Sequence, residues 1–151
     1  MIAKSVADQG RSVRLCEADN FHMRGTEYVF QAAQQNQAHF ACQLDAYDGC
    51  RTNKDLVIVS NTMTTRKEIE PYVLIAERCC YELHAIWLKA PHDSSYMFNR
   101  NTHGVPDEVL ARQLGNLVTE AAAPDSPLVN QVIFTRDVTR VKVNFTNDKS
   151  I

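Results

Sequence analysis

Two short apolar runs in this chain end in residues able to move a proton or hold a hydroxyl. The first, Val13-Arg14-Leu15-Cys16, leads through Glu17-Ala18 into Asp19-Asn20-Phe21. The second, Leu56-Val57-Ile58-Val59, ends in Ser60-Asn61-Thr62. A carboxylate at a strand tip can take a proton from a substrate hydroxyl, and open α/β sheets bind ligands beyond the carboxyl ends of their strands. Further along, Asn99-Arg100-Asn101-Thr102-His103-Gly104-Val105-Pro106 is a polar loop with one arginine and one histidine. An acid that deprotonates a hydroxyl and an arginine that neutralises a transferring phosphoryl group are parts of phosphoryl transfer. The same residues have plainer roles. Asp19 serves equally as a turn residue, Asn61-Thr62 as the cap of the next helix, and Arg100 as a solvated surface side chain. Spacing alone leaves the two readings level.

The elements that would position these groups follow from periodicity. Ile2 to Gln9 has helical spacing and stops at Gly10. Ser12–Cys16 is a strand, and residues 21–30 form a loop around Gly25 with Phe21, Tyr28 and Phe30 as anchors. Gln31 to Gly49 reads as a long helix whose apolar stripe is Ala33, Ala38, Phe40, Ala41, Leu44 and Tyr47. Leu56–Val59 is a continuous β-branched and aliphatic run, the pattern of a strand covered on both faces. Arg66–Cys80 is helical, with Ile69, Val73, Ile75 and Ala76 on its buried side and Pro71 near its start. Tyr81–Leu88 is a third strand. Strands alternating with helices of this length require crossover connections and a parallel sheet. All three strand tips then lie on one edge.

Beyond Pro91, His92–Asn99 reads as a short helix. Asp107–Thr119 is a longer one, with Val109, Leu110, Leu114 and Leu117 on its apolar side. Residues 121–127 form a linker. Leu128–Phe134 and Val138–Phe145 alternate as two strands of a terminal hairpin, so the chain divides into an α/β domain over 1–120 and a hairpin extension over 128–151.

Composition bounds the function. A chain of 151 residues with 44% hydrophobic and 23% charged residues can bury one real core. A net charge of −2 provides no basic field to recruit nucleic acid or an anionic membrane. No apolar run approaches the roughly 18–20 residues of a membrane span, and the first residues lack the apolar core of a signal peptide. The expected location is cytoplasmic. The five cysteines, at 16, 42, 50, 79 and 80, form no CxxC pair and no zinc-ligand spacing, so reduced, buried thiols are expected.

The succession of motifs resembles the P-loop nucleoside- and polynucleotide-kinase-like ATP-binding proteins, an AAA-type group. Asp19-Asn20-Phe21 is similar to that family's strand-end Asp-(Asp/Asn)-aromatic motif. Tyr28-Val29-Phe30 followed by Gln37-Ala38-His39 resembles its aromatic pair and Ala-His helix. Val57-Ile58-Val59-Ser60-Asn61-Thr62, with Glu68 and Pro71-Tyr72 behind it, resembles its hydrophobic strand, Asp/Asn-Thr tip and Glu-x-x-Pro-Tyr helix. Arg100-Asn101-x-His103-Gly104-Val105 resembles its lid. The similarity covers residues 2–117. It implies a three-layer parallel sheet flanked by helices and an ATP- and Mg2+-dependent transfer of the γ-phosphate to an acceptor hydroxyl, for instance at a nucleic-acid 5′ end. It also implies Asp19 as general base, Arg100 and His103 in the lid, and Asn20, His22, Asn61 and Thr62 lining the acceptor side.

Three departures qualify this. Asn61 stands where several relatives carry Asp, and His22 where the phage polynucleotide kinases carry a substrate-binding Arg. His39 reads better as a packing and hydrogen-bonding residue under the 21–30 loop than as a proton carrier. Above all, the family's strand followed by G-x-x-x-x-G-K-[ST] is absent, although residues 1–9 resemble the helix that follows that loop. The expectation is that the chain begins one strand and one loop late, Met1 being an internal methionine; the alternative is a protein that has lost ATP binding and serves as an interaction module, with edge strands of the hairpin pairing with a partner. In both cases the absent strand is a central one. The strands at 13–16 and 56–59 must then pair directly or leave a gap, ATP binding should be weak or nil, and stability marginal.

Overall fold

The computed structural model describes residues 2–86, 99, 101, 104–121 and 131–135. In chain order the elements are α1 (Ile2–Ala7), β1 (Val13–Cys16), a 3-10 turn (Ala18–His22), β2 (Met23–Arg24), β3 (Glu27–Tyr28), a second 3-10 turn (Ala32–Gln34) and α2 (Gln35–Arg51). They continue with β4 (Leu56–Val59), α3 (Arg66–Cys79), β5 (Glu82–Ile86), α4 (Asp107–Ala121) and β6 (Gln131–Thr135). The fold is mixed α/β. The short helix expected at 92–99, the linker at 121–127 and the second hairpin arm at 138–145 lie outside the described residues, apart from Asn99 and from Ala121, which is the last residue of α4 and not linker.

The strands β1 and β4 pair directly and in parallel, with Val13 opposite Leu56 and Cys16 opposite Val59. Both ends of this pair are clamped. At the start, the Ser12 N–H and hydroxyl each donate to Asp55 Oδ2 at 2.7 Å. At the finish, the Ser60 N–H donates to the Cys16 carbonyl at 3.0 Å.

The sheet order is β1-β4-β6-β5. Strand β6 runs antiparallel to both its neighbours, so β1, β4 and β5 share one direction and β6 alone is reversed. The parallel pairing expected among the strands at 13–16, 56–59 and 81–88 is formed by β1 and β4 alone; β5 shares their direction but joins the sheet through antiparallel β6. The 131–135 segment, expected as one arm of a terminal hairpin, has both edges occupied by β4 and β5, which leaves no edge there for a hairpin partner. An alternating apolar strand gains more from two neighbours in a covered sheet than from one in an isolated hairpin.

Strand β4 explains its own composition. Val57 and Val59 face α2 and α3 in the main core, while Leu56 and Ile58 pack with Val13 and with Ala3 and Val6 of α1 on the opposite face. All four residues are buried. Because α1 has only six residues, it leaves Leu15 on that same face exposed.

Helix α2 departs from its expected stripe. Its buried face is Ala38, Cys42, Ala46, Gly49 and Cys50, a row of small residues that lets the helix lie close to the sheet. Phe40 and Leu44, expected inward, are 60% and 52% exposed. Gly49 marks the closest approach, since a Cβ there would stand 3.0 Å from Val57 Cγ2. On α3 the buried residues are Ile69, Tyr72 and Ala76, and Val73 points outward instead. The phenol of Tyr72 supplies the reason: it finds hydrogen-bond partners inside, which Val73 could not use. Helix α3 begins with a capping box, in which Glu68 Oε2 accepts the Thr65 N–H at 2.8 Å and the Thr64 N–H at 2.6 Å.

Candidate functional site: the joined tips of β1 and β4

The chain leaves β1 through Glu17 and winds into the 3-10 turn that carries Asp19 and Asn20, both exposed. The small β2–β3 hairpin then folds back, with Gly25 at φ +64° in its turn, a left-handed conformation suited to glycine. This return places the Tyr28 hydroxyl on Asp19, where it donates to Oδ1 at 3.1 Å. Burial, and then the Asp19 charge and hydrogen bond, push the Tyr28 phenol up to about 12. Tyr28 thus remains a protonated donor to Asp19 across neutral pH.

Asn61, at the tip of β4, joins the two strand ends. Its Oδ1 accepts the Ala18 N–H at 2.8 Å, one residue before Asp19. Its amide nitrogen donates to Cys42 Sγ of α2 at 3.3 Å and to the Tyr72 hydroxyl of α3 at 3.4 Å. Tyr72 in turn donates to Cys42 Sγ at 3.5 Å. Both ends of the Asn61 amide are therefore engaged inside the protein, and Thr62 beside it is exposed. Cys42 is held above the usual thiol range, chiefly by burial.

His22 occupies a different setting. It is 1% exposed, with ring centroids 5.7 Å from Phe21, 5.9 Å from Tyr28 and 5.2 Å from Phe30. Its Nε2 lies 3.3 Å from Gln35 Oε1, and Gln35 Nε2 lies 3.0 Å from His39 Nε2. The amide chemistry sets the direction: His22 donates to the Gln35 carbonyl, and the Gln35 N–H2 donates to His39. In this arrangement His22 is a packing residue beneath the 21–30 loop, and a substrate would reach it only if the aromatic cover opened.

Asp19, Asn20, Asn61 and Thr62 thus share one edge of the sheet. Arg100 and His103 lie outside the described residues; of their neighbours, Asn101 and Val105 share two hydrogen bonds, Asn101 Nδ2 donating to the Val105 carbonyl at 2.6 Å and the Val105 N–H to Asn101 Oδ1 at 3.0 Å. Two residues past Thr62, the Thr64 hydroxyl accepts from Asn116 of α4 at 3.2 Å. Sequence reasoning missed the Tyr28–Asp19 contact and the Asn61–Cys42–Tyr72 cluster. The Gly25 turn signal alone pairs residue 23 with residue 28, and Asp19 reaches Tyr28 only because the 3-10 turn at Ala18–His22 folds it back, which the sequence did not signal. Nothing in linear spacing announces the second.

No family model, no curated protein and no solved structure matches this chain. Among the described residues, no group of three or more His, Cys, Asp or Glu side chains could hold a metal ion, and no helix is long and apolar enough to cross a membrane.

Proposed function

We propose that this chain carries the acceptor side of an ATP-dependent phosphotransferase of the polynucleotide- or nucleoside-kinase type, built on a P-loop-like α/β sheet. The observation that carries the reading is the exposed Asp19 carboxylate, fixed beyond the end of β1 by Tyr28 and set beside the tip of β4 through the Asn61–Ala18 hydrogen bond. Oδ1 accepts from Tyr28, and Oδ2 is the oxygen assigned to receive the proton of an acceptor hydroxyl. Asn20 and Thr62, both exposed beside it, are the neighbours available to hold that hydroxyl. Arg100 and His103 keep the lid role implied by the motif they occupy.

The residues present do not fit Mg2+-ATP by themselves. The 151 residues contain no G-x-x-x-x-G-K-[ST] loop to cradle a triphosphate. The position where a carboxylate would help hold magnesium is the amide of Asn61, and its oxygen is already bonded to the Ala18 N–H. No transfer step is therefore assigned to this chain alone. That engagement of Asn61 also favours the second reading, a non-catalytic interaction module.

Calorimetric titration of the chain with Mg2+-ATP should give no micromolar binding. A transfer assay on a fusion supplying an apolar strand and phosphate loop ahead of residue 1 separates the readings. The kinase reading expects phosphorylation of a hydroxyl acceptor that Asp19→Asn abolishes while ATP affinity stays unchanged. Transfer that survives Asp19→Asn removes the base assignment, and ATP binding without any transfer supports the interaction module.

A further inference from the structure

Helices α2 and α3 lie side by side, and their outer faces repeat the same spacing. Positions 40, 43, 44 and 47 of α2 and 71, 74, 75 and 78 of α3 line a groove of about 410 Å3. Both sets follow i, i+3, i+4, i+7, the row that one helix presents to another laid along it. Phe40, Leu44 and Leu74 in this row are 60%, 52% and 60% exposed, a concentration of large apolar side chains on one outer face. Arg78 is the charged residue of the lining, and it stands at the C-terminal end of α3.

The chemistry wanted opposite this groove is an amphipathic helix with acids at one end, and α4 has it. Its first turn holds the exposed Asp107 and Glu108, and Leu110 and Leu114 follow on one face, each partly buried. The distances agree as well. From Arg78 back to Pro71 and from Asp107 forward to Leu114 are both seven residues, or roughly 10 Å of helix. With Asp107 and Glu108 beside Arg78, Leu110 comes level with Leu74 and Leu114 with the Phe40–Pro71 end. That alignment is antiparallel, which also sets the α4 N-terminus against the C-terminal ends of α2 and α3.

We propose that the α2/α3 groove docks α4 of a second copy of this chain, each copy giving its α4 to the other's groove. The test is sedimentation of wild-type chain and two charge-reversed variants, Arg78→Glu and the double variant Asp107→Arg/Glu108→Arg. Wild type should dimerise, and each variant alone should dimerise at least tenfold more weakly, because its groove and its own α4 then carry like charges. An equimolar mixture of the two variants should recover the dimer, since both contacts in the mixed pair are again opposite in sign. The recovery distinguishes lost contact from misfolding. A wild-type chain that stays monomeric at about 100 μM, roughly 5–6 kcal/mol of association, overturns the proposal and leaves the groove to another occupant. A dimer indifferent to both variants, or a mixture that stays monomeric, overturns it too.

Discussion

Asn61 Oδ1 accepts the Ala18 N–H at 2.8 Å, so the tip of β4 holds the backbone one residue before Asp19. The same amide donates to Cys42 and Tyr72, which ties the sheet edge to both covering helices. Replacing Asn61 by Ala strands the buried Ala18 N–H and removes the bond that Asn61 donates to the Tyr72 hydroxyl. An unsatisfied buried donor costs about 1–3 kcal/mol, and the loss should fall toward the upper end because the cluster also loses packing. Asn61→Asp should cost less, since a carboxylate still accepts from Ala18 and can accept from the Tyr72 hydroxyl and Cys42 thiol. Urea unfolding of the three proteins checks the order; equal stability of Asn61→Ala and wild type would show the tether to be idle.

Acid should loosen the start of the β1–β4 pair. The Ser12 hydroxyl and N–H both donate to Asp55 Oδ2, and they hold its carboxyl below the usual aspartate range. A carboxyl whose folded value lies below its unfolded one stabilises the fold above the unfolded value, near 3.9, and loses that contribution as pH falls through the folded value. Midpoint urea concentrations measured from pH 6 down to pH 2 should drop below about pH 4 in wild type. In Asp55→Asn the drop should be shallower, because its amide does not titrate. Parallel curves for the two proteins would remove Asp55 from the acid limb.

The expectations drawn from local pattern fared best where a residue's role is decided by its neighbours in sequence. The four-residue run of β4 announced a strand covered on both faces, and Leu56–Ile58 and Val57–Val59 do face opposite layers. The cap of α3 was misplaced: Asn61-Thr62 offered one cap for this helix, and the structure puts it at Thr65 with Glu68, nearer the first helical residue. Expectation failed where residue size, and not polarity, sets the packing. The buried face of α2 is small because the helix must approach Val57 and Arg14, so the bulkier Phe40 and Leu44 are turned out. The reversed strand β6 was illegible for another reason. Alternation identifies a strand but carries no information about its direction or its neighbours. At the candidate site, Asp19 and Asn61 were found as strand tips, whereas the Asn61 cluster depends on α2, α3 and β4 meeting in space.

Alkali should destabilise the core through its thiols. Burial pushes Cys50 up to about 12, with its interaction with Cys79 adding to the effect, and it raises Cys16 and Cys42 in the same direction. A group whose folded value is raised contributes stability that is complete below its unfolded value, near 8.5, and is lost as pH rises through the folded value. The melting temperature should therefore hold to about pH 8 and decline steadily toward pH 11. Cys50→Ala should flatten part of that decline while lowering stability at neutral pH by a small cavity cost. A melting temperature constant to pH 11 would contradict the burial of these thiols.

Two helical glycines should respond to alanine with opposite signs. Gly115, in α4, has no atom within 4 Å of an added Cβ, so Gly115→Ala should stabilise by about 0.5–1 kcal/mol through helix propensity alone. Gly49, in α2, offers the same gain against a contact of 3.0 Å with Val57 Cγ2 and of 3.2 and 3.3 Å with the Arg14 stem. Val57 is fully buried in the main core and cannot move aside without disturbing β4. Overpacking a filled site costs about 1–3 kcal/mol, which exceeds the propensity gain, so Gly49→Ala should be the less stable protein. Arg14 is the softer neighbour, being paired with Asp45 at the surface of α2, and its stem can yield at the expense of that ion pair. Unfolding of both variants at low and high salt resolves the two contributions. A Gly49→Ala protein as stabilised as Gly115→Ala would mean that α2 lies farther from β4 than a close-packed row of small residues requires.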